Sequence, residues 1–321
     1  MGRYRTPPSA ARLERLAAEL EEDGVGFVIG DHRRATVLDE LDYALRPPVH
    51  ERRVPSYGAI IGPETTADAW APATHLRAER LVTVDFGDAE IRCFADGISS
   101  WAIRETGGVD ELVVFDRSAS SERDLVILAS ASGGIVVQRH PGGVVRIVGD
   151  DGVARRDLTG WHHEPPLGPW LDRIPGCREA GQLTTLGLLL DFAVHDLGAR
   201  GIGSLLIVND TGELANGHEH RLPIPPPLSI HHPHDLAPLR HALTQTDGAS
   251  VFDRDGVLRR MGVRLVPSIE AEAQVQAIGG TRHTSARRYS FDEPDALVVV
   301  ISEDGPVTVL QAGEAVGRTP A

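Results

Sequence analysis

Cysteine is nearly absent: Cys93 and Cys177 are the two in 321 residues. Two thiols with no characteristic spacing exclude a cysteine-based zinc site and a disulfide framework, and two buried thiols are the expectation. Long apolar runs are also missing. Nothing approaches the roughly 18 apolar residues that span a bilayer, so no membrane association is expected. The start, MGRYRTPPSAARLERLAAEL, is charged and has no apolar signal core, which points to a cytoplasmic protein. Positive charge is in deficit, with 32 basic against 46 acidic residues and a net charge of −14. Such a chain repels nucleic acid unless its cations are segregated, so no nucleic acid partner is expected. A small anion in a local positive pocket remains compatible.

What is present is an ordinary globular composition, 41% hydrophobic and 24% charged, long enough for one large or two ordinary domains. Ser9 to Asp23 reads as a helix, with Leu13, Leu16, Ala17 and Leu20 on one face and Gly24 as its stop. Short β-like runs follow: Val25 to Gly30, GAIIG, RLVTVDFG, AEIRCFADG and ELVVFD. GGIVVQRHPGGVVRIVGDDGVARRDLTGW alternates apolar and polar residues around HPGG and DDG, the pattern of a meander. The proline-rich stretch from His162 to Gly176 is the expected joint. It divides the chain into a strand-rich α+β domain, 1–175, and an α/β domain, 176–321. Trp161 and Trp170 are expected to seal an inter-domain contact there, ligand stacking being the alternative. In the second half, a helix from Gly181 to Gly201, the strand GSLLIVND, the helix DLAPLRHALTQ, a hairpin around Asp255–Gly256, the helix EAEAQVQAIG and two strands in DALVVVISEDGPVTVLQAGE alternate.

Three groups of residues could carry chemistry. Six of the fourteen histidines crowd into 218–241. Short histidine tracts can bind metal, but proline-broken loops do not hold a coordination cage, so a solvated loop is the expectation. In TDGA, Asp247 offers a carboxylate beside Gly248, where backbone can come close to a ligand. In GGTRHTSARR, free amides at a helix start favour anions. Thr281 and the Arg282 fork add donors for phosphate oxygens, and His283 adds a switchable one. ISED ends an apolar strand with Ser302, Glu303 and Asp304, and strand ends of open α/β sheets commonly bind ligands.

In chain order these are GSLLIV, DGA, LVP, GTRH and DALVVVISE, from about Gly181 to Glu314. The series resembles the diadenylate cyclase (DAC) domain family, known from the DNA integrity scanning protein and membrane-bound bacterial cyclases. The resemblance implies a twisted mixed β-sheet flanked by helices. It implies condensation of two ATP into cyclic di-AMP with release of two pyrophosphates, using Mg2+ or Mn2+, across facing domains of a homodimer or higher homo-oligomer. By the same resemblance, Asp247 would serve metal and attacking 3′-hydroxyl, with Glu303 as second metal ligand. Gly248 and Ala249 would let nucleotide approach the backbone. Gly280, Thr281, Arg282, His283 and Thr284 would surround the triphosphate, Ser302 would donate to it, and Leu265 would line the adenine pocket.

Two departures stand out. Thr284 occupies the position of the family's second arginine, a loss of about 1.5–3 kcal/mol if that group met phosphate; Arg287 or Arg288, one turn on, could restore the charge. Thr246 stands where a histidine often precedes DGA. The expected function is therefore a soluble diadenylate cyclase with an N-terminal regulatory domain. The alternatives are an impaired nucleotide-binding sensor and a cyclase making a linear or mixed dinucleotide.

Overall fold

The computed structural model describes residues 7–25, 32–49, 51–81, 88–104, 110–174, 180–214, 218–220, 222, 224–277, 280–303 and 306–320. Residues 26–30 of the expected first strand, Cys177, Asp304 and the first two residues of IGGTRH lie outside them. Two compact units follow one another, Met1–Pro166 and Leu167–Ala321, each mixed α/β around its own mixed sheet.

In the first unit, α1 (Ala10–Glu22), α2 (Arg34–Leu45), β1 (Tyr57–Ile61), α3 (Ala71–Thr74), β2 (Ala78–Leu81) and α4 (Asp88–Phe94) precede β3 (Ser100–Arg104) and β4 (Glu111–Phe115). Then come α5 (Glu122–Ser132), β5 (Ile135–Arg139), β6 (Val145–Gly149), β7 (Gly152–Arg156) and β8 (Trp161–Glu164). Helix α1 starts after Ser9 and buries Leu16, Ala17 and Leu20, as its periodicity requires. Strands β5 to β8 form the expected antiparallel meander. AEIRCFADG is the helix α4, not a strand. Ile91 and Ala95, four apart, are both buried, a helical spacing that a short mixed run does not reveal. Cys93, two positions from Ile91, is consequently exposed rather than buried. Helix α5 had a readable start: Ser121 and Asp124 form a reciprocal capping box.

The second unit runs α6 (Gly168–Leu171), α7 (Ala180–Asp191), a π-helical turn (Phe192–Leu197), β9 (Ser204–Val208), β10 (His218–His220), α8 (Pro233–Gln245), β11 (Ala249–Phe252) and β12 (Leu258–Leu265). It ends with α9 (Ile269–Gln274), α10 (Thr281–Asp292), β13 (Leu297–Ile301), β14 (Val307–Gln311) and β15 (Glu314–Arg318). Strand order is β10-β12-β11-β9-β13-β14-β15. Among the described strands of this sheet, only β9 and β11 pair in parallel. Trp161 packs on the first unit's core and Trp170 within the second's.

One row of partners crosses this sheet: Val263, Ala249, Leu205, Val300, Thr308, Arg318. Cross-strand partners share a face. Val263, Ala249, Leu205 and Val300 pack with Ala286 and Tyr289 of α10, so Thr308 and Arg318 stand on the α10 face as well. The other face carries Leu206, Val299, Ile301 and Val309 against α7 and the π turn. That turn buries Asp196, whose carboxylate accepts two bonds from Arg240 of α8 at 2.9 and 2.8 Å and one from Arg200 at 2.9 Å. Both Arg240 bonds come from its Nη1; charge-assisted hydrogen bonds are strong, and these tie α8 to the turn.

Where α8 hands over to β11, Gly248 has φ +100, and a Cβ there would lie 2.8 Å from the Val263 carbonyl oxygen and 2.9 Å from the Gly262 carbonyl carbon. Both are backbone atoms of the neighbouring strand and cannot step aside. Gly248→Ala should lower the stability of this unit by about 1–3 kcal/mol, measured by chemical denaturation.

Candidate functional site

Two positions before Ala249 and Leu205, and two after Val300, stand Asp247, Gly203 and Ser302, side by side at one end of the sheet. The start of α10 lies over the same end. A cavity of about 350 Å³ opens there, lined by Gly201, Ile202, Gly203, Leu243 to Asp247, Arg282 and Glu303. Asp247, Arg282 and Glu303, drawn from three segments 56 residues apart at the extremes, thus face one space.

Arg282 sits in the first turn of α10. One guanidinium nitrogen donates to the Ile301 carbonyl at 3.4 Å, and the other lies 3.9 Å from a Glu303 carboxylate oxygen. Gly203 lies beneath this pair. A Cβ at Gly203 would fall 2.5 Å from the Arg282 Nη1 and 2.7 Å from Glu303 Cγ, so a side chain there would push the two apart. Asp247 is exposed and makes no hydrogen bond or ion pair with a described residue. Two carboxylates on one cavity, one of them uncommitted, are the hard oxygen donors that Mg2+ and Mn2+ prefer.

The remaining expected residues divide. Gly280 is the N-cap of α10, exposed and with open space where a Cβ would stand, and Thr281 is exposed beside it. Both stand at the amide-rich helix mouth that attracts anions. Thr284 closes the first turn through its N–H to the Gly280 carbonyl at 3.1 Å. Ser302 is half-buried at the β13 exit. None of these, nor His283, lines the cavity itself. Ala249 is fully buried in the core under α10, and Leu265 is buried in that core too. Their side chains are therefore packing residues rather than cavity walls. Gly248 is close to backbone, as expected, but the backbone is its own neighbour β12.

Arg287 and Arg288 do not fill the gap left at Thr284. Arg287 donates to the Gly313 carbonyl at 2.9 Å and lies 3.6 Å from Glu314, while Arg288 turns to Val275 and Glu272. A different cation is closer in effect. Arg318 stands on the α10 face at this end of the sheet, is exposed, and has no hydrogen bond or ion pair among the described residues. Burial, Arg318 and Arg282, in that order, hold the His283 imidazole below its usual range. No motif marks Arg318; its alternation in β15 could have been read only once the register with β14 was known. Gly201, Gly203, Thr244 and Gln245 were also missed, although Gly203 opens the quoted GSLLIV strand.

Because Arg318 disfavours the protonated imidazole, Arg318→Ala should move the His283 titration midpoint upward toward that of an ordinary histidine. NMR titration of the ring protons measures this, and an unmoved midpoint would mean that Arg318 does not face His283.

Residues 191–315 match the family described as "DisA bacterial checkpoint controller nucleotide-binding", and residues 15–165 match "Probable sensor domain DACNK". No curated protein matches the chain. Among solved structures, a hypothetical membrane spanning protein from Bacillus cereus is 21% identical over 44% of this chain and 71% of its own, with a TM-score of 0.31. Likeness at that level carries no structural argument. Among the described residues no helix is long and apolar enough to cross a membrane. The chain thus carries a DAC domain, the DisA-type nucleotide-binding domain, at 191–315, preceded by a DACNK sensor domain at 15–165.

Proposed function

We propose that the protein is a diadenylate cyclase that joins two ATP molecules into cyclic di-AMP, with the DACNK domain as its regulator. The observation that carries this reading is the convergence of Asp247, Arg282 and Glu303 on one cavity of about 350 Å³. That volume lies at the small end of ligand sites and suits one nucleotide. A product containing two nucleotides then requires a second DAC domain facing the first.

Each of the two steps is an in-line transfer. A 3′-hydroxyl oxygen forms a bond to the opposing α-phosphorus, the bond from that phosphorus to the bridging oxygen breaks, and pyrophosphate leaves with its electrons. Such chemistry depends on positioning and charge neutralisation more than on covalent help. Arg282 and the α10 amides hold the phosphates, with Thr281 as a further donor. His283, kept toward its neutral form, donates one N–H without adding full charge. Asp247 holds the 3′-hydroxyl and takes up its proton as the new bond forms. Asp247 and Glu303 would also hold a divalent cation, which when bound neutralises phosphate charge.

A second reading has one observation in its favour. Arg287 and Arg288 are engaged elsewhere, so the position of Thr284 goes uncompensated from within α10. The protein would then bind ATP with slow turnover, or register the phosphates loosely enough to release linear dinucleotide.

Full-length protein incubated with ATP and Mn2+ or Mg2+ should yield cyclic di-AMP by mass spectrometry. Asp247→Asn should reduce the rate by about 10²–10³-fold, the scale of a lost transition-state contact, while leaving the fold intact. Folded protein that binds ATP but releases no cyclic product under either metal would replace the cyclase reading with the sensor reading.

A further inference from the structure

The histidine tract is not the plain solvated loop that its prolines suggest. His232 is the N-cap of α8, and His234 and Asp235 lie in its first turn. One Asp235 carboxylate oxygen lies 3.3 Å from His232 Nδ1, and the other lies 3.3 Å from His234 Nε2. The two rings stack nearly parallel, 5.4 Å apart with 6° between planes. One ligand atom from each of the three side chains can be chosen so that all lie within 4.8 Å of one another.

Several features go beyond a chance surface pair. Asp235 is only 17% exposed, and the same carboxylate oxygen that His232 approaches accepts the Ser229 N–H at 2.9 Å. An outer hydrogen bond of that kind orients a metal-binding carboxylate. Each imidazole already aims a nitrogen at a separate oxygen of that one group. Nitrogen and oxygen ligands sit about 2.0–2.2 Å from a zinc ion, which places them roughly 3–3.5 Å from each other in a tetrahedral site. Each imidazole nitrogen stands 3.3 Å from a different Asp235 oxygen, so whichever oxygen ligates is already at that separation from one of the two rings. The wider separation closes by rotating His232 and His234, whose side chains are 61% and 81% exposed and so carry little packing. Helix amides oppose a cation at an N-terminus, and the Asp235 carboxylate supplies the offsetting charge.

We propose that His232, His234 and Asp235 form a zinc-type transition-metal site, with three protein ligands and an open position for water. It is separate from the oxygen-donor pair Asp247 and Glu303. Helix α8 has 13 residues, about 20 Å at 1.5 Å per residue, and Asp247 follows its opposite end. Imidazole nitrogen selects zinc-like ions, whereas the carboxylate pair suits magnesium or manganese. The two sites would therefore load independently. An ion here would tie Ser229 and the loop before α8 to the start of the helix whose far end forms the cavity wall. The proposal does not depend on the cyclase reading.

The test uses tag-free, full-length, chelator-stripped protein titrated with Zn2+ by calorimetry. One equivalent should bind to wild type and to Asp247→Asn alike, and binding should weaken at least tenfold in His232→Ala/His234→Ala and in Asp235→Asn. Unchanged binding in the double histidine variant, or no binding by wild type, overturns the proposal. Should the double variant misfold, Co2+ added to wild type gives a second readout. A visible absorption spectrum of a four-coordinate nitrogen and oxygen site, lost on His234→Ala alone, supports the site; a spectrum unchanged by that substitution overturns it.

Discussion

The arrangement of the second unit depends on how β9 pairs with its two neighbours. Because β11 runs parallel to β9, the chain must cross over through α8, and a crossover returns the chain to the end from which β9 began. Because β13 runs antiparallel to β9, its exit falls at that end too. Asp247 enters β11, Gly203 enters β9, and Ser302 and Glu303 leave β13, all at one edge of the sheet. Helix α10 completes the group by starting over the same edge. A slip of one residue in any of these pairings would move alternate side chains to the opposite face and separate the groups.

Charge follows the same geometry. The chain is strongly acidic as a whole, yet Arg282, His283 and Arg318 are gathered at the α10 mouth. The arginines of this unit do different work. Arg287 and Arg288 hold backbone carbonyls and acidic side chains; Arg240 clamps α8 to the buried Asp196; Arg282 faces the cavity; Arg318 stays uncommitted. A guanidinium becomes a ligand group only where no local acceptor claims its donors first, and that competition is settled by packing.

Much of this was readable beforehand. The helix α1, the β5 to β8 meander, the β11–β12 hairpin and the helical start at Gly280 follow from periodicity and turn residues, because local sequence determines those features. DGA and GTRH pointed to Asp247 and Arg282, and both face the cavity. The misreadings share a cause. AEIRCFADG alternates weakly enough to pass for a strand, and only packing of Ile91 and Ala95 on one side makes it a helix. The Ala249 and Leu265 side chains lie in the core, a placement that their motifs alone do not reveal. The histidine tract looked too broken by proline to be ordered, yet Pro233 sits at the first position of α8, where a missing N–H costs nothing.

By itself, the sequence determined which chemical groups exist and in what order: a carboxylate before glycine, a cationic helix start, a hydroxyl and carboxylate after an apolar strand. It also determined the strongly negative net charge and the lack of a long apolar run. Only the tertiary structure decided which of those groups share a space. Convergence at the cavity is set by strand direction and register between segments far apart in the chain, and no local pattern encodes the partner of a strand. The same is true of Arg318, which no motif marks and which long-range pairing alone brings beside His283.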